Sequence, residues 1–420
     1  MAGHTRVTLS ETSGIFHGWW IVGVAMLTQL VSNGLLIYSY GLLVIPIGTE
    51  LGTSRTEMMW GKTGFLLTTV LLSPLLGMLL DRRSIRTMMI LGSLALGLSF
   101  VLISVSQTVV HISLAFAVLP GLAYTLLGIL GTNTLVVRWF VVKRARALSL
   151  AALGASIGGL LVPYLFQMMI DAWGWRSACF WSGIIATALT LPAIALLVHN
   201  QPEDIGLYPD GAATLPTSVV VAPPMPVDNL LRTFQFWSIA ISVGAVFAAN
   251  AAIIINIVPF AQQHGIASKQ AVLFLPVIAV SALAGKLLFS FIADRVDLKF
   301  ALLTCMVVQI PPIIAFTQTN DYMTMLACAV IYGAASGGQL PSWAALLARL
   351  YGPAHYGYVM GSMLPIISIL GAMVVPLIGV LFDHSGNYIS SFMFLAAMIV
   401  FAAATLLLSR AGGRSPVVLR

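Results

Sequence analysis

The sequence predicts an all-α membrane protein of twelve transmembrane helices in two pseudo-symmetric six-helix bundles, and three observations carry that prediction. The first is composition: 59% of the 420 residues are hydrophobic and 8% are charged, with a mean hydropathy of +0.99. An ordinary soluble domain holds roughly a quarter charged residues, so this chain lacks the polar shell that so much apolar surface would need in water. The second is run length. Apolar stretches of about 20 residues recur, the length a helix needs to cross a hydrocarbon core, whereas barrel strands alternate over about ten residues. The third is duplication. Asp81-Arg82 with Arg86 recurs 213 residues later as Asp294-Arg295 with Lys299, and Trp20 recurs 217 residues later as Trp237.

The elements follow in order. Residues 1–17 form a polar tail, expected to be cytoplasmic. The apolar run after it is too long for a signal-peptide core and lacks a small-residue cleavage site, so it should stay as the first span. Spans are expected at about 18–46, 57–80, 87–107, 111–138, 145–170 and 175–198, which makes 18–198 the first bundle. A second set at about 234–262, 269–293, 300–318, 322–349, 356–381 and 388–409 makes 234–409 the second. Residues 199–233 between them are expected to be a cytoplasmic link, with Pro223-Pro224-Met225-Pro226 as an extended tether. Residues 410–420 form a second cytoplasmic tail. A six-helix unit repeated in parallel is the pattern of transporters that rock two bundles about a central site.

Orientation follows from the cations, because lysine and arginine concentrate in cytoplasmic loops. With both termini inside, fifteen of the twenty fall on the inner side, among them Arg82, Arg83, Arg86, Arg138 to Arg146, Arg295 and Arg349. Arg55, Lys62, Arg176 and Lys269 are assigned to the outer side. Cations spread over many short loops act as anchors against membrane lipid and form no stripe for nucleic acid, despite a net charge of +7. Cys179, Cys305 and Cys328 sit inside apolar runs at no metal or redox spacing, and the histidines fall at span ends without ligand spacing. No cofactor is expected. Nor is an enzyme, since no helix carries the convergent acids, metal ligands or serine–base pair that intramembrane chemistry requires.

One cation remains. Lys286 lies eight residues before Asp294, roughly 12 Å along the helix, too deep for its stem to reach the interface fully. A cation near the midplane costs about 2.5–3.5 kcal/mol even on the mildest scale, and all thirteen acids fall at span ends or in loops. The missing partner is then either an anionic substrate entering between the bundles or, on the bland reading, none, with the lysine neutral or partly snorkelled. Burial disfavours the charged form of a lysine and a bound anion restores it. A proton and the anion would therefore load together as a neutral pair, giving electroneutral symport.

Several fragments resemble known proteins. Gly77-Met78-Leu79-Leu80-Asp81-Arg82-Arg83 with Arg86 resembles the helix 2–3 loop motif of the major facilitator superfamily. That resemblance implies a conformational latch built from Gly77, Asp81, Arg82 and Arg86, echoed by Asp294 and Arg295, with Ser290 where the second copy would have glycine. His17-Gly18-Trp19-Trp20, Tyr40-Gly41, Trp139-Phe140 through Arg146-Ala147-Leu148 to Gly158-Gly159, and Pro209-Asp210-Gly211 narrow it further. The set resembles the bacterial branch of the monocarboxylate transporter family and the related oxalate/formate antiporters, which implies a bacterial inner membrane, a small carboxylate and a proton as partners, and a monomeric unit. Lys286 falls where these families place an arginine that meets the carboxylate. Lysine offers one point charge in place of a bidentate fork, and residues 356–381 hold no second cation, which favours a monocarboxylate such as lactate or pyruvate. Tyr124 in Gly121-Leu122-Ala123-Tyr124 resembles a family tyrosine that donates to the carboxylate. Tyr332, Tyr38, Asn33, Asn250, Asn256 and Ser368 are further candidate wall residues. An antiporter of organic anions and a multidrug exporter of the same superfamily are the alternatives. The exporter is disfavoured because cation exporters usually bring an intramembrane acid.

Overall fold

The computed structural model describes residues 16–212, 230–292 and 295–409. Asp294, the Pro223–Pro226 tether, residues 1–15 of the N-terminal tail and the tail 410–420 lie outside them. The described residues are helical throughout, with no β-strand among them. Helix α1 (17–51) is interrupted: an α-helix over His17–Ser32 passes into a π-helical turn at Asn33–Tyr38, and α-helix resumes at Tyr40–Leu51. Helix α2 (Arg55–Arg82) opens on a capping box, with Ser54 and Glu57 each accepting from the other's backbone amide. Helices α3 (Ile85–Val105) and α4 (Val109–Trp139) start at the caps Ser84 and Thr108, and α4 breaks at Gly128.

Arg144–Leu197 is continuous for 54 residues, about 80 Å at 1.5 Å per residue, nearly three times the thickness of a hydrocarbon core. It divides at Gly174, whose φ of 76° turns the chain back. The pieces are α5 (144–173) and α6 (175–197). The second bundle holds α7 (Phe234–Gln263), α8 (Ser268–Ile292), α9 (Leu298–Gln318), α10 (Tyr322–Tyr351, broken at Gly338), α11 (Tyr356–Ser385) and α12 (Tyr388–Leu408). Asp321 caps α10, and its hydrogen bonds from the Thr324 hydroxyl and amide hold its carboxyl below the usual range.

Pairings repeat between the halves. Contacts of α1 with α5, α2 with α4 and α3 with α6 recur as α7 with α11, α8 with α10 and α9 with α12. Glycine makes several of these approaches close: a Cβ at Gly154 or Gly158 would lie 2.0 or 2.2 Å from the Met26 or Leu30 carbonyl oxygen of α1. The bundles meet along two seams, α2 against α11 and α5 against α8, at the end of the molecule that carries Asp81. The second halves of α4 and α10 close the same end.

The chain after α6 is fastened to the first bundle. Asn200 Oδ1 accepts from the Ser84 hydroxyl and the Arg86 amide, and Trp139 Nε1 donates to the His199 carbonyl at 3.1 Å. Asp210, at a φ of 61°, accepts from the amides of Val141, Val142 and Lys143. Desolvation, with the nearby His17 and Arg86, pushes His199 below the usual imidazole range. At the other end Glu50 ties α1 to α6 through Trp175 (2.6 Å) and Arg176 (3.0 Å), and Arg176 also donates to the Ser104 and Ser106 carbonyls of α3.

Candidate functional site

Lys286 projects from α8 onto α5 of the opposite bundle. Its Nζ donates to Ser156 Oγ at 2.6 Å and to the Ala152 carbonyl at 3.1 Å, and among the described residues it forms no ion pair. Its neighbour Gly285 faces the other way: a Cβ there would lie 2.0 Å from the Ala334 carbonyl of α10. One helical step of about 100° thus separates the face packed inside the bundle from the face that carries the charge. Tyr38, at the end of the π turn and 53% exposed, lies over Gly159, one turn along α5 from Ser156. Lys286 and Tyr38 therefore converge on the same stretch of α5, from opposite bundles.

Each bundle also holds a tyrosine on its fourth helix that donates to an asparagine on its first. Tyr124 meets Asn33 Oδ1 at 3.3 Å, and Tyr332 meets Asn250 Oδ1 at 2.6 Å. Asn33 and Asn250 are 217 residues apart, the offset of the two tryptophans. Asn33 also donates to the Gln29 carbonyl, while Asn250 donates to Gln339 Oε1 at 2.6 Å. Tyr332 is 0% exposed and Tyr124 half-buried, whereas Asn33 is buried and Asn250 half-buried, so each pair has one covered member and one partly open one. Asn256 donates to Ala252 on its own helix, and Ser368 is exposed on α11.

Lys62 corrects the cation assignment above. It belongs not to an outer loop but to α2, two turns inside, half-buried, with its Nζ on the Leu36 (2.8 Å) and Ile37 (3.3 Å) carbonyls. The π turn puts those carbonyls out of step with the amides that follow, and the lysine supplies the donor. Rings of Tyr40, Phe65 and Phe116 lie within 5.9 Å of the ammonium. Sequence reasoning missed this because helix 2 reads as apolar around it, and only the deformed α1 explains a cation there.

Of the latch residues, Asp81 and Gly77 are at the α2–α11 seam. Asp81 accepts from the Gly357 amide (2.9 Å) and the Tyr358 amide (2.7 Å) in the first turn of α11, a carboxylate at a helix N-terminus. A Cβ on Gly77 would lie 2.2 Å from the Gly357 carbonyl. Arg138, on α4, donates to the Leu80 and Asp81 carbonyls. Arg86 donates to the Ala195 carbonyl of α6, and Arg82 and Arg295 are exposed. In the second bundle the corresponding arginine, Arg349, pairs with Asp297 at 2.8 Å. No group of three metal-binding side chains occurs among the described residues.

Comparison with known proteins agrees with this architecture. The family model described as Major Facilitator Superfamily matches residues 24–317 and 241–418. Human monocarboxylate transporter 11 is 25% identical over 401 residues, covering 91% of this chain and 81% of the relative. Monocarboxylate transporter 13 of Rattus norvegicus is 23% identical over 392 residues, covering 93% and 88%. Among solved structures, the E. coli fucose:proton symporter FucP superposes with a TM-score of 0.71 at 14% identity, covering 94% of this chain and 100% of that one. The human organic anion transporter MFSD10 does so at 0.69 and 15% identity, covering 93% and 99%. With its repeated pairings and a family match that spans both bundles, the chain belongs to the Major Facilitator Superfamily.

Proposed function

We propose that this membrane transporter carries a small monocarboxylate of the lactate or pyruvate kind together with a proton, by alternating access. The observation that carries the reading is the Lys286 ammonium, set between the bundles and held by one carbonyl and one hydroxyl, with no carboxylate paired to it among the described residues. Neutral oxygens offset only part of the cost of a buried charge, whereas a carboxylate offsets most of it. A single point charge suits a single carboxylate. Lys62 is already occupied by the carbonyls of the π turn, whereas Lys286 reaches across to the opposite bundle. Tyr38 and the half-buried Tyr124, which is bonded to Asn33, supply neutral hydrogen bonds from the first bundle.

The chemistry then runs as a charge balance. The proton loads first, giving an ammonium that rests on Ser156 and the Ala152 carbonyl until the carboxylate takes it; the pair is net neutral, and the loaded site can pass from one open end to the other. The relatives named monocarboxylate transporters, and the organic anion transporter of the same fold, support a carboxylate substrate. The distribution of cations supports cytoplasmic termini and a cytoplasmic Asp81 end, so that the two seams close the cytoplasmic side.

The test is uptake of labelled lactate into proteoliposomes, with and without an inward proton gradient. Gradient-stimulated uptake that Lys286→Ala abolishes is the expected result. Uptake indifferent to Lys286→Ala would overturn the role of that residue. Absence of lactate uptake alongside exchange of larger organic anions would move the reading to an antiporter. A Lys286→Arg variant that transports with an unchanged pH dependence would remove the lysine from proton coupling.

A further inference from the structure

We propose that Ser156, together with the Ala152 carbonyl, is the resting partner of the Lys286 ammonium, and that a substrate carboxylate must take the ammonium from it, loosening the α5–α8 seam. The inference rests on the reading of Lys286 as the substrate cation and adds a positioning residue on the opposite bundle.

Three observations support it. Gly154 and Gly158 press against the Met26 and Leu30 carbonyls of α1. Ser156 stands two residues from each, roughly 200° round the helix, so the close packing of α5 on α1 turns its hydroxyl toward the second bundle. Ala152 and Ser156 are four residues apart, on one face, and offer a carbonyl and a hydroxyl oxygen to the same ammonium at 3.1 and 2.6 Å. A serine on a helix often turns its hydroxyl back to the carbonyl four residues earlier; here Lys286 engages both oxygens. Finally, α5 and α8 run antiparallel along the seam. Arg146 lies over the Phe291 ring at 5.9 Å, nearer the Asp81 end, and the Lys286 contact follows about 9 Å farther along α5.

The seam is thus bolted by the group that the proposed substrate needs. A carboxylate held by an ammonium that has left Ser156 binds the loosened seam better than the bolted one, and a ligand shifts an equilibrium by that difference in affinity. Occupancy and seam opening become linked, and the linkage is reciprocal.

The experiment uses the purified full chain in nanodiscs, and two readouts. In the absence of any substrate, amide hydrogen exchange of the α5 and α8 segments is compared among the unaltered chain, Ser156→Ala, Ser156→Thr, Lys286→Ala and the double variant. Ser156→Ala is expected to raise exchange about tenfold, the size of one lost charge-assisted hydrogen bond. Ser156→Thr should restore it, and the double variant should exceed Lys286→Ala by nothing. Exchange unchanged by Ser156→Ala, or effects that add in the double variant, would overturn the proposal. In proteoliposomes, removing the competitor should lower the KM for lactate in Ser156→Ala, whereas a merely structural loss would not. A raised or unmoved KM would count against it. Should the unaltered chain carry no lactate, the substrate reading falls, while the exchange measurement still decides whether Ser156 bolts the seam.

Discussion

The two seams that join the bundles occupy equivalent places in the repeat and are built from different chemistry. At the α2–α11 seam the contact is glycine on backbone. Gly77 faces the Gly357 carbonyl, a Cβ on Gly361 would lie 2.3 Å from the Ser73 carbonyl, and Asp81 covers the start of α11. At the α5–α8 seam an ammonium reaches across to a hydroxyl and a carbonyl. The residue 213 positions before Lys286 is Ser73, whose hydroxyl merely returns to the Thr69 carbonyl of its own helix. The repeat therefore supplies two equivalent surfaces, and one is a glycine-packed latch. The other carries the charge that the proposed substrate would claim, so the bundles are held by shape on one side and by chemistry on the other.

The largest effect that separates the two belongs to Lys286→Ala. Truncating one partner of a buried, hydrogen-bonded charge pair costs about 2–5 kcal/mol, so anion binding is expected to fall on the order of a hundredfold, read as loss of saturable uptake. Next comes Gly77→Val. Its branched side chain cannot fit where a Cβ alone would meet the Gly357 carbonyl at 2.2 Å, so the α2–α11 seam must part. Turnover should fall about tenfold or more, within the 1–3 kcal/mol of an overpacked contact, with anion affinity measured by equilibrium binding little changed. The comparison fails if Gly77→Val abolishes binding and Lys286→Ala spares it.

Tyr332→Phe sharpens the contrast inside the bundles. It strips a fully buried hydroxyl from Asn250 and leaves an acceptor unsatisfied, which costs about 1–3 kcal/mol. A lower Tm in detergent is expected. Tyr124→Phe, at the longer 3.3 Å bond to Asn33, should leave Tm nearly unchanged and act on KM. Equal losses of Tm would mean that both pairs are structural.

How much of this was legible in the sequence differs by feature. The twelve spans were, because hydrocarbon thickness imposes a run length that composition cannot disguise; 145–170 and 175–198 were separated although the backbone hydrogen bonding runs on across Gly174. The interruptions within spans were not. The π turn at Asn33–Tyr38 and the break at Gly128 sit inside long apolar runs, since neighbouring helices supply the missing partners; the break at Gly338 lies in the least apolar span, where Gly337-Gly338-Gln339-Leu340-Pro341 carried a signal that run length does not read. Lys62 was misplaced for the same reason: its acceptors are carbonyls freed by a distortion elsewhere in the chain. Lys286 stood out because an unpaired charge at depth breaks the pattern, whereas Ser156 did not, because a serine is at home on any membrane helix. Asp81 was visible as a motif, but its partners, the Gly357 and Tyr358 amides, are backbone groups about 276 positions away.

Asp81→Asn gives the smallest of these effects and decides how the glycine seam holds. The two carboxylate oxygens of Asp81 each accept one amide, from Gly357 and from Tyr358. Asparagine offers a single acceptor, so one amide must face an NH2 group, and the charge that favours the N-terminus of α11 is gone. That charge contributes about 0.3–1 kcal/mol, and the displaced amide a similar amount. The equilibrium should shift about fivefold toward opening of the Asp81 end, read as faster labelling of a cysteine introduced at the exposed Arg82. Because Gly77, Gly357 and Gly361 still fit together, the shift should be smaller than that of Gly77→Val. An equal or greater shift would mean that the carboxylate, not the glycine contact, holds α2 to α11, and both seams would then be electrostatic.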